Sequence, residues 1–214
     1  MELRKYSTPE RWQKINEVAS NRTNLVQVVI EDIYQEHNAG ALIRTCDCFG
    51  IQKVHVIENY YETKIANSIS KGSEKWIHVT KYEQPNTNNT VAAINNLKEK
   101  GFKVVATTPH NFDVELPNFE ITQKTALLFG TEGKGLTQEA LTLADKKLRI
   151  PIYGFTESYN ISVSAALILQ QVVTSLRNGN VDWRLSIGEQ RELEIEWLVK
   201  SMGKTGTAIK KQFT

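Results

Sequence analysis

The feature that most constrains the fold is an alternation. Short apolar, β-branched runs are each followed by a stretch with helical spacing. LVQVVI (25–30), KVHVIE (53–58), WIHVT (76–80), FKVVAT (102–107), TALLFG (125–130) and KLRI (147–150) read as strands, being short and bounded by polar or turn residues. Between and after them, helical patterns span 38–49, 89–100, 136–145 and 161–179. Gly50 and Gly101 stand where a helix C-terminal glycine belongs. A chain that alternates in this way folds as α/β, with a mostly parallel sheet and helices on both faces.

The ends of the chain differ from this pattern. STPERWQKINEVASNR offers Thr8 as an N-cap and Pro9 at the first helical position, and spaces Trp12, Ile15 and Ala19 along one face. EQRELEIEWLVKS carries Leu193, Trp197 and Leu198 at near-helical spacing. The expected organisation is therefore a helical extension over 1–20, a main α/β domain over 21–180 and a second helical extension over 181–214.

Several function classes are disfavoured. Composition is that of an ordinary globular chain, with 40% hydrophobic and 23% charged residues, and no apolar run has the length of a signal peptide or spanning helix; a cytoplasmic location is expected. Cys46 and Cys48, the only cysteines, have a spacing that fits neither a disulfide framework nor a zinc knuckle, and read as reduced and structural. His37, His55, His78 and His110 show no metal-ligand spacing, so no metal is expected. A net charge of +2 neither demands nor excludes nucleic acid. Any basic patch must be local, drawn from Arg4, Lys5, Arg11, Lys14 and Arg22 or from Lys200, Lys204, Lys210 and Lys211, with solvated helix faces as the alternative.

Ligands of open α/β sheets collect beyond the carboxyl ends of the strands. Two such loops are unusual. FGTEGKGLT (129–137) places Gly130, Gly133 and Gly135 on a strand-to-helix turn, where backbone amides can approach a ligand closely. It is no phosphate loop, because Leu136 stands where that motif needs lysine, and the dinucleotide fingerprint cannot be laid over these glycines. IPIYGFTESYNISVSAA (150–166) is broken by Pro151 and Gly154, then gathers Ser158, Asn160, Ser162 and Ser164. Helix capping alone would account for Asn160. In HNAGALIRTCDCFG (37–50), Arg44 sits among small and apolar neighbours and admits both a structural and a functional role.

Taken in order, HNAGALIRTCDCFG, LLFGTEGKGL and IPIYGFTESYNISVSAALIL resemble the three motifs of the SPOUT superfamily of knotted methyltransferases, in particular the TrmH-like RNA 2′-O-ribose methyltransferases. The resemblance runs from about residue 20 to 180. It implies a C-terminal trefoil knot, a homodimer, S-adenosylmethionine as cofactor and RNA as substrate. The terminal helices resemble those of the tRNA-modifying branch, which points to a guanosine of the tRNA D-loop. Ribosomal RNA, or a non-catalytic RNA-binding role for the fold, are the alternatives. By the same resemblance Asn38, Arg44, Glu132, Ser158 and Asn160 correspond to catalytic and substrate-positioning residues. Thr107, Leu128, Gly130, Ile150, Tyr159 and Ser164 would line the cofactor pocket, with Tyr159 a departure from the leucine common in relatives. Arg11, Lys14 and Arg22 are the candidate RNA contacts.

Overall fold

The computed structural model describes residues 2–64 and 67–203, together with Gly206. Lys204, Lys210 and Lys211 lie outside the described residues, as do Ile65 and Ala66. The chain divides into two compact units, Asn24–Trp183 and a second formed by Met1–Thr23 with Arg184–Thr214. The two terminal extensions thus build one unit.

In the larger unit seven strands form one sheet: β1 (Val26–Glu31), β2 (Lys53–Ile57), β3 (His78–Tyr82), β4 (Lys103–Thr107), β5 (Val114–Glu115), β6 (Thr125–Phe129) and β7 (Lys146–Arg149). Their order is β3-β2-β1-β6-β4-β7-β5, and every pairing is parallel. The helices are α2 (Glu36–Cys48), the short α3 (Asn67–Ser70), α4 (Asn89–Glu99), α5 (Gln138–Leu143) and α6 (Ile161–Asn178).

The central strands β1 and β6 are buried along their whole length because both faces are covered. Val26, Val28 and Ile30 of β1, with Leu127 and Phe129 of β6, enter one core beside Leu42 and Ile43 of α2 and Ile168 and Val172 of α6. The intervening Val29, Ala126 and Leu128 enter a second core with Ile94 and Leu97 of α4 and Ala140 of α5. Each fully buried Val, Leu or Ile contributes about 1.5–3 kcal/mol of transfer free energy. One polar pair interrupts the second face: His55 Nε2 lies 2.7 Å from Gln27 Oε1, both side chains buried.

Two strands depart from the sequence expectation. β3 begins at His78, two residues late, because Ser73–Lys75 form a 3₁₀ turn that holds Trp76 and because the ladder opens with His78 N–H donating to the Gln52 carbonyl at 2.9 Å. β5, absent from the expected strands, is a two-residue edge pairing with β7.

In the smaller unit, α1 (Pro9–Ala19) is capped by Thr8, whose hydroxyl accepts from Arg11 N–H. α7 (Ile187–Ser201) opens on a capping box between Ser186 and Glu189. Leu193, Trp197 and Leu198 are all buried, and Asn16 donates to Glu194 Oε1 at 2.9 Å. Arg22 corrects an expectation: it is only 2% exposed, its guanidinium 5.1 Å from the centre of the Trp197 ring. A cation buried against an aromatic face serves packing and is not available to a phosphate. Arg11 and Lys14 are exposed, Lys14 at 3.3 Å from Glu17. Cys46 is buried, whereas Cys48 is exposed, so the burial expected of both holds for one.

Candidate active site

A cavity of about 390 Å³ lies at the carboxyl ends of β4, β6 and β7, within the size range of small-molecule sites, roughly 300–1,000 Å³. Its lining includes Thr107, Gly130, Glu132, Ile150, Ser158, Tyr159 and Ser164, so five expected cofactor residues and two expected catalytic residues meet there. Leu128 is the exception. Strand alternation turns its side chain into the second core, and its carbonyl accepts the Thr107 hydroxyl at 2.7 Å.

The glycine loop forms the floor of this cavity. After β6 the chain reverses, and Thr131 and Gly135 exchange both backbone hydrogen bonds at 3.0 Å. The crossing is so tight that a Cβ on Gly130 would stand 2.2 Å from the carbonyl carbon of Gly135. Gly135 itself has φ +70°, the left-handed region. Around Gly133 there is open space, so only two of the three glycines are required. Where the loop enters α5, Thr137 N–H and its hydroxyl both donate to the carboxylate of Glu31, each at 2.8 Å. Glu31, 2% exposed at the end of β1, also accepts from the Thr90 hydroxyl and so ties the loop to α4. Its role was not legible in the sequence, where it looked like the polar end of a strand.

Beside the cavity, three polar motif residues converge, one from α2, one from the glycine loop and one from the N-cap of α6. Asn160 caps α6: its Oδ1 accepts from Ser162 N–H at 2.9 Å, Val163 N–H at 3.4 Å and the Ser162 hydroxyl at 2.5 Å. Because those donors occupy the carbonyl end of the amide, its Nδ2 must face the other way. It donates to Asn38 Oδ1 at 3.1 Å and to Glu132 Oε1. Capping and site-building are the two ends of one side chain. Asn38, buried on α2, donates in turn to Gln35 Oε1 at 2.5 Å. Gln35, which the sequence did not single out, is the N-cap of α2 and makes no side-chain capping bond.

Arg44 stands apart from this cluster. It follows Asn38 by six residues on α2, about 9 Å along the axis and about 120° around it. It is exposed and makes no hydrogen bond or ion pair with the described residues. The outward sides of α2 and α6, which pack on each other, also present Ala41, Cys48, Val163 and Leu167.

The arrangement can hold a heterocycle against Leu148, Ile150 and Ile168, and a zwitterionic or cationic tail near Glu132, Glu157 and Lys134. Comparisons with known proteins agree with such a site. The chain is 38% identical over 91% of its length, and 87% of the relative's, to the tRNA (guanosine(18)-2′-O)-methyltransferase of Borreliella burgdorferi. It is 33% identical over 88% of its length, and 82% of the relative's, to the enzyme of the same name from Escherichia coli K12. The crystal structure of the TrmH/SpoU tRNA modifying enzyme of A. aeolicus superposes with a TM-score of 0.79 at 29% identity, covering 91% of this chain and 98% of that one. The SpoU methyltransferase AviRb of Streptomyces viridochromogenes, in complex with the cofactor AdoMet, gives a TM-score of 0.63 at 26% identity, covering 74% of this chain and 60% of that one. The sequence profile of the SpoU rRNA Methylase family matches residues 25–170, and with a parallel sheet whose glycine loop and capped α6 close one cavity, the chain belongs to that family.

Proposed function

We propose that the chain transfers the methyl group of S-adenosylmethionine to the ribose 2′-hydroxyl of a guanosine in the D-loop of tRNA, acting as a homodimer in the cytoplasm. The observation that carries this is the convergence of Asn38, Glu132 and Asn160 beside a cavity floored by a glycine loop. The relatives named for guanosine-18 methylation of tRNA support the substrate. The family's trefoil knot in the C-terminal part belongs to the same proposal.

The residues present fit the cofactor. Apolar walls suit an adenine, and the Glu132 and Glu157 carboxylates favour a positive sulfonium over a neutral thioether. When bound, S-adenosylmethionine supplies an electrophilic methyl group. The chain's own residues must align the attacking oxygen with it and manage a proton on a poor acid. Alignment of this kind is worth on the order of 7–11 kcal/mol in favourable models. Asn160, its amide spent on the α6 cap, Asn38 and Glu132, locks Asn38, whose second amide proton is presented to the ribose. Glu132 fixes the second amide proton of Asn160.

Arg44 serves as a cation that stabilises the developing alkoxide, whose proton passes to solvent water, and grips the adjacent phosphate with two parallel N–H donors. A guanidinium holds its proton tightly and so is a poor general base. Its exposed position on α2 gives the homodimer a purpose: covering the outward sides of α2 and α6 brings Arg44 into an enclosed site and buries Val163 and Leu167. Arg11 and Lys14 add phosphate contacts that weaken with salt.

The test is mapping of ribose methylation in tRNA and ribosomal RNA incubated with the protein and S-adenosylmethionine. Methylation at a D-loop guanosine is expected; a mark confined to ribosomal RNA refutes the substrate. In the same assay Arg44→Lys should lose about 100-fold or more in turnover, because an ammonium lacks the planar fork. Near-normal turnover of that variant would exclude Arg44 from either chemical role.

A further inference from the structure

Three tyrosines crowd the carboxyl ends of β1 and β2 without contributing to a core. Tyr34, Tyr60 and Tyr61 are 53%, 79% and 47% exposed. The Tyr34 and Tyr61 rings lie 5.5 Å apart, centre to centre, at 51°. Single exposed aromatics are ordinary, but these are held in place. Asp32, only 4% exposed, adopts φ 52°, an uncommon conformation for a residue with a side chain. Its carboxylate accepts the backbone N–H groups of Asn59 at 2.7 Å, Tyr60 at 2.9 Å and Tyr61 at 3.4 Å. Asn59 is fixed further by Thr90 and Asn89. A buried carboxylate in a strained backbone position thus anchors the segment that carries two exposed rings.

The rings are also continuous with the catalytic cluster. Tyr34 lines a small cleft with Gln35, Asn38 and Glu132. Gln35 Nε2 donates to the Tyr34 hydroxyl at 3.4 Å while its Oε1 accepts from Asn38. An aromatic surface starting beside the residues that position a ribose is placed to meet the bases on either side of that ribose.

We propose that Tyr34, Tyr60 and Tyr61 form a stacking platform for unpaired bases flanking the methylated nucleotide of the RNA substrate. This rests on the RNA methyltransferase reading above. A ring stacks on any base without demanding sequence, and a pre-anchored loop loses little entropy on binding. The platform contributes affinity by stacking, separately from the phosphate contacts of basic side chains.

The experiment measures binding of fluorescein-labelled tRNA transcript by anisotropy across a salt series, with methyl transfer followed in parallel. The Tyr60→Ala, Tyr61→Ala double variant should bind RNA about ten-fold or more weakly, with an unchanged slope of log affinity against log salt and unchanged S-adenosylmethionine affinity by calorimetry. Phenylalanine at both positions should restore binding, and leucine should not. Wild-type RNA affinity in the alanine variant overturns the platform, as does rescue by leucine. A shift to monomer on sedimentation of the alanine variant also overturns it, identifying the patch as a surface for a second copy. Tyrosine-dependent RNA binding in a protein that transfers no methyl group would sink the enzymatic reading and leave the platform standing.

Discussion

Replacing Gly130 with alanine puts a Cβ 2.2 Å from the carbonyl carbon of Gly135, 2.3 Å from its oxygen and 2.3 Å from the Leu136 nitrogen. All three are backbone atoms, so no rotamer change relieves the clash; the crossing must open. The bonds lost are the two between Thr131 and Gly135. At a net 0.5–1.5 kcal/mol each, re-forming that crossing costs about 1–3 kcal/mol. Because the loop floors the cavity, this cost falls on ligand binding, giving S-adenosylmethionine affinity roughly five- to 150-fold weaker. Gly133→Ala is the control, since its Cβ meets nothing within 4 Å; a change within about 0.5 kcal/mol is expected. Gly135→Ala falls between, at roughly 1–2 kcal/mol for a side chain at positive φ. Titration calorimetry with S-adenosylmethionine, beside urea unfolding to separate loop from global effects, reads all three. If Gly130→Ala binds within two-fold of wild type, or Gly133→Ala is equally damaging, the crossing does not set the geometry of the site.

Two further outcomes test the site and the core. Asn160→Asp keeps the oxygen that caps α6 but sets a carboxylate against Glu132 and removes the donor to Asn38; methyl transfer should fall by about 100-fold or more while the unfolding midpoint stays near wild type, whereas Asn160→Ala should also lose about 1 kcal/mol of cap stability. A matching loss of activity and stability in Asn160→Asp would mean that the residue only caps. Burial, reinforced by the positive charges of Lys100 and Lys53, lowers the pKa of His55 from 6.5 to about 4. Between those values the unfolded chain binds the extra proton, so the His55 contribution is fully present above about pH 6.5 and is lost as pH falls towards 4, up to about 3 kcal/mol. Urea midpoints from pH 4.5 to 7.5 should show this slope in the wild type and a flatter one in His55→Leu; equal slopes would exclude His55 as the titrating group.

The sequence by itself determined the class of fold and the sites of its turns. Val, Ile and Leu runs without a polar face need cover on both sides, which dictates helices above and below a parallel sheet; Thr8 opened a helix, and the glycines at 50 and 101 followed the ends of two, where the chain said they would. The family resemblance of three ordered motifs pointed to Asn38, Glu132 and Asn160, which the structure brings together. Tertiary structure decided the rest, because it depends on which distant groups meet. A two-residue strand such as Val114–Glu115 carries no periodicity and exists only through its pairing with β7. Arg22 looked like every other cation near the N-terminus until Trp197, far along the chain, covered it. Glu31, Asp32 and Gln35 had no motif to announce them; the first two acquire their roles from hydrogen bonds to loops that sequence separation hides, and Gln35 from its bond to Asn38, itself held by Asn160. Arg44, the most conspicuous residue of the first motif, lies outside the cluster that its own helix helps to build. A side chain's type fixes what it can bond, and only the folded chain fixes what comes within 3 Å of it.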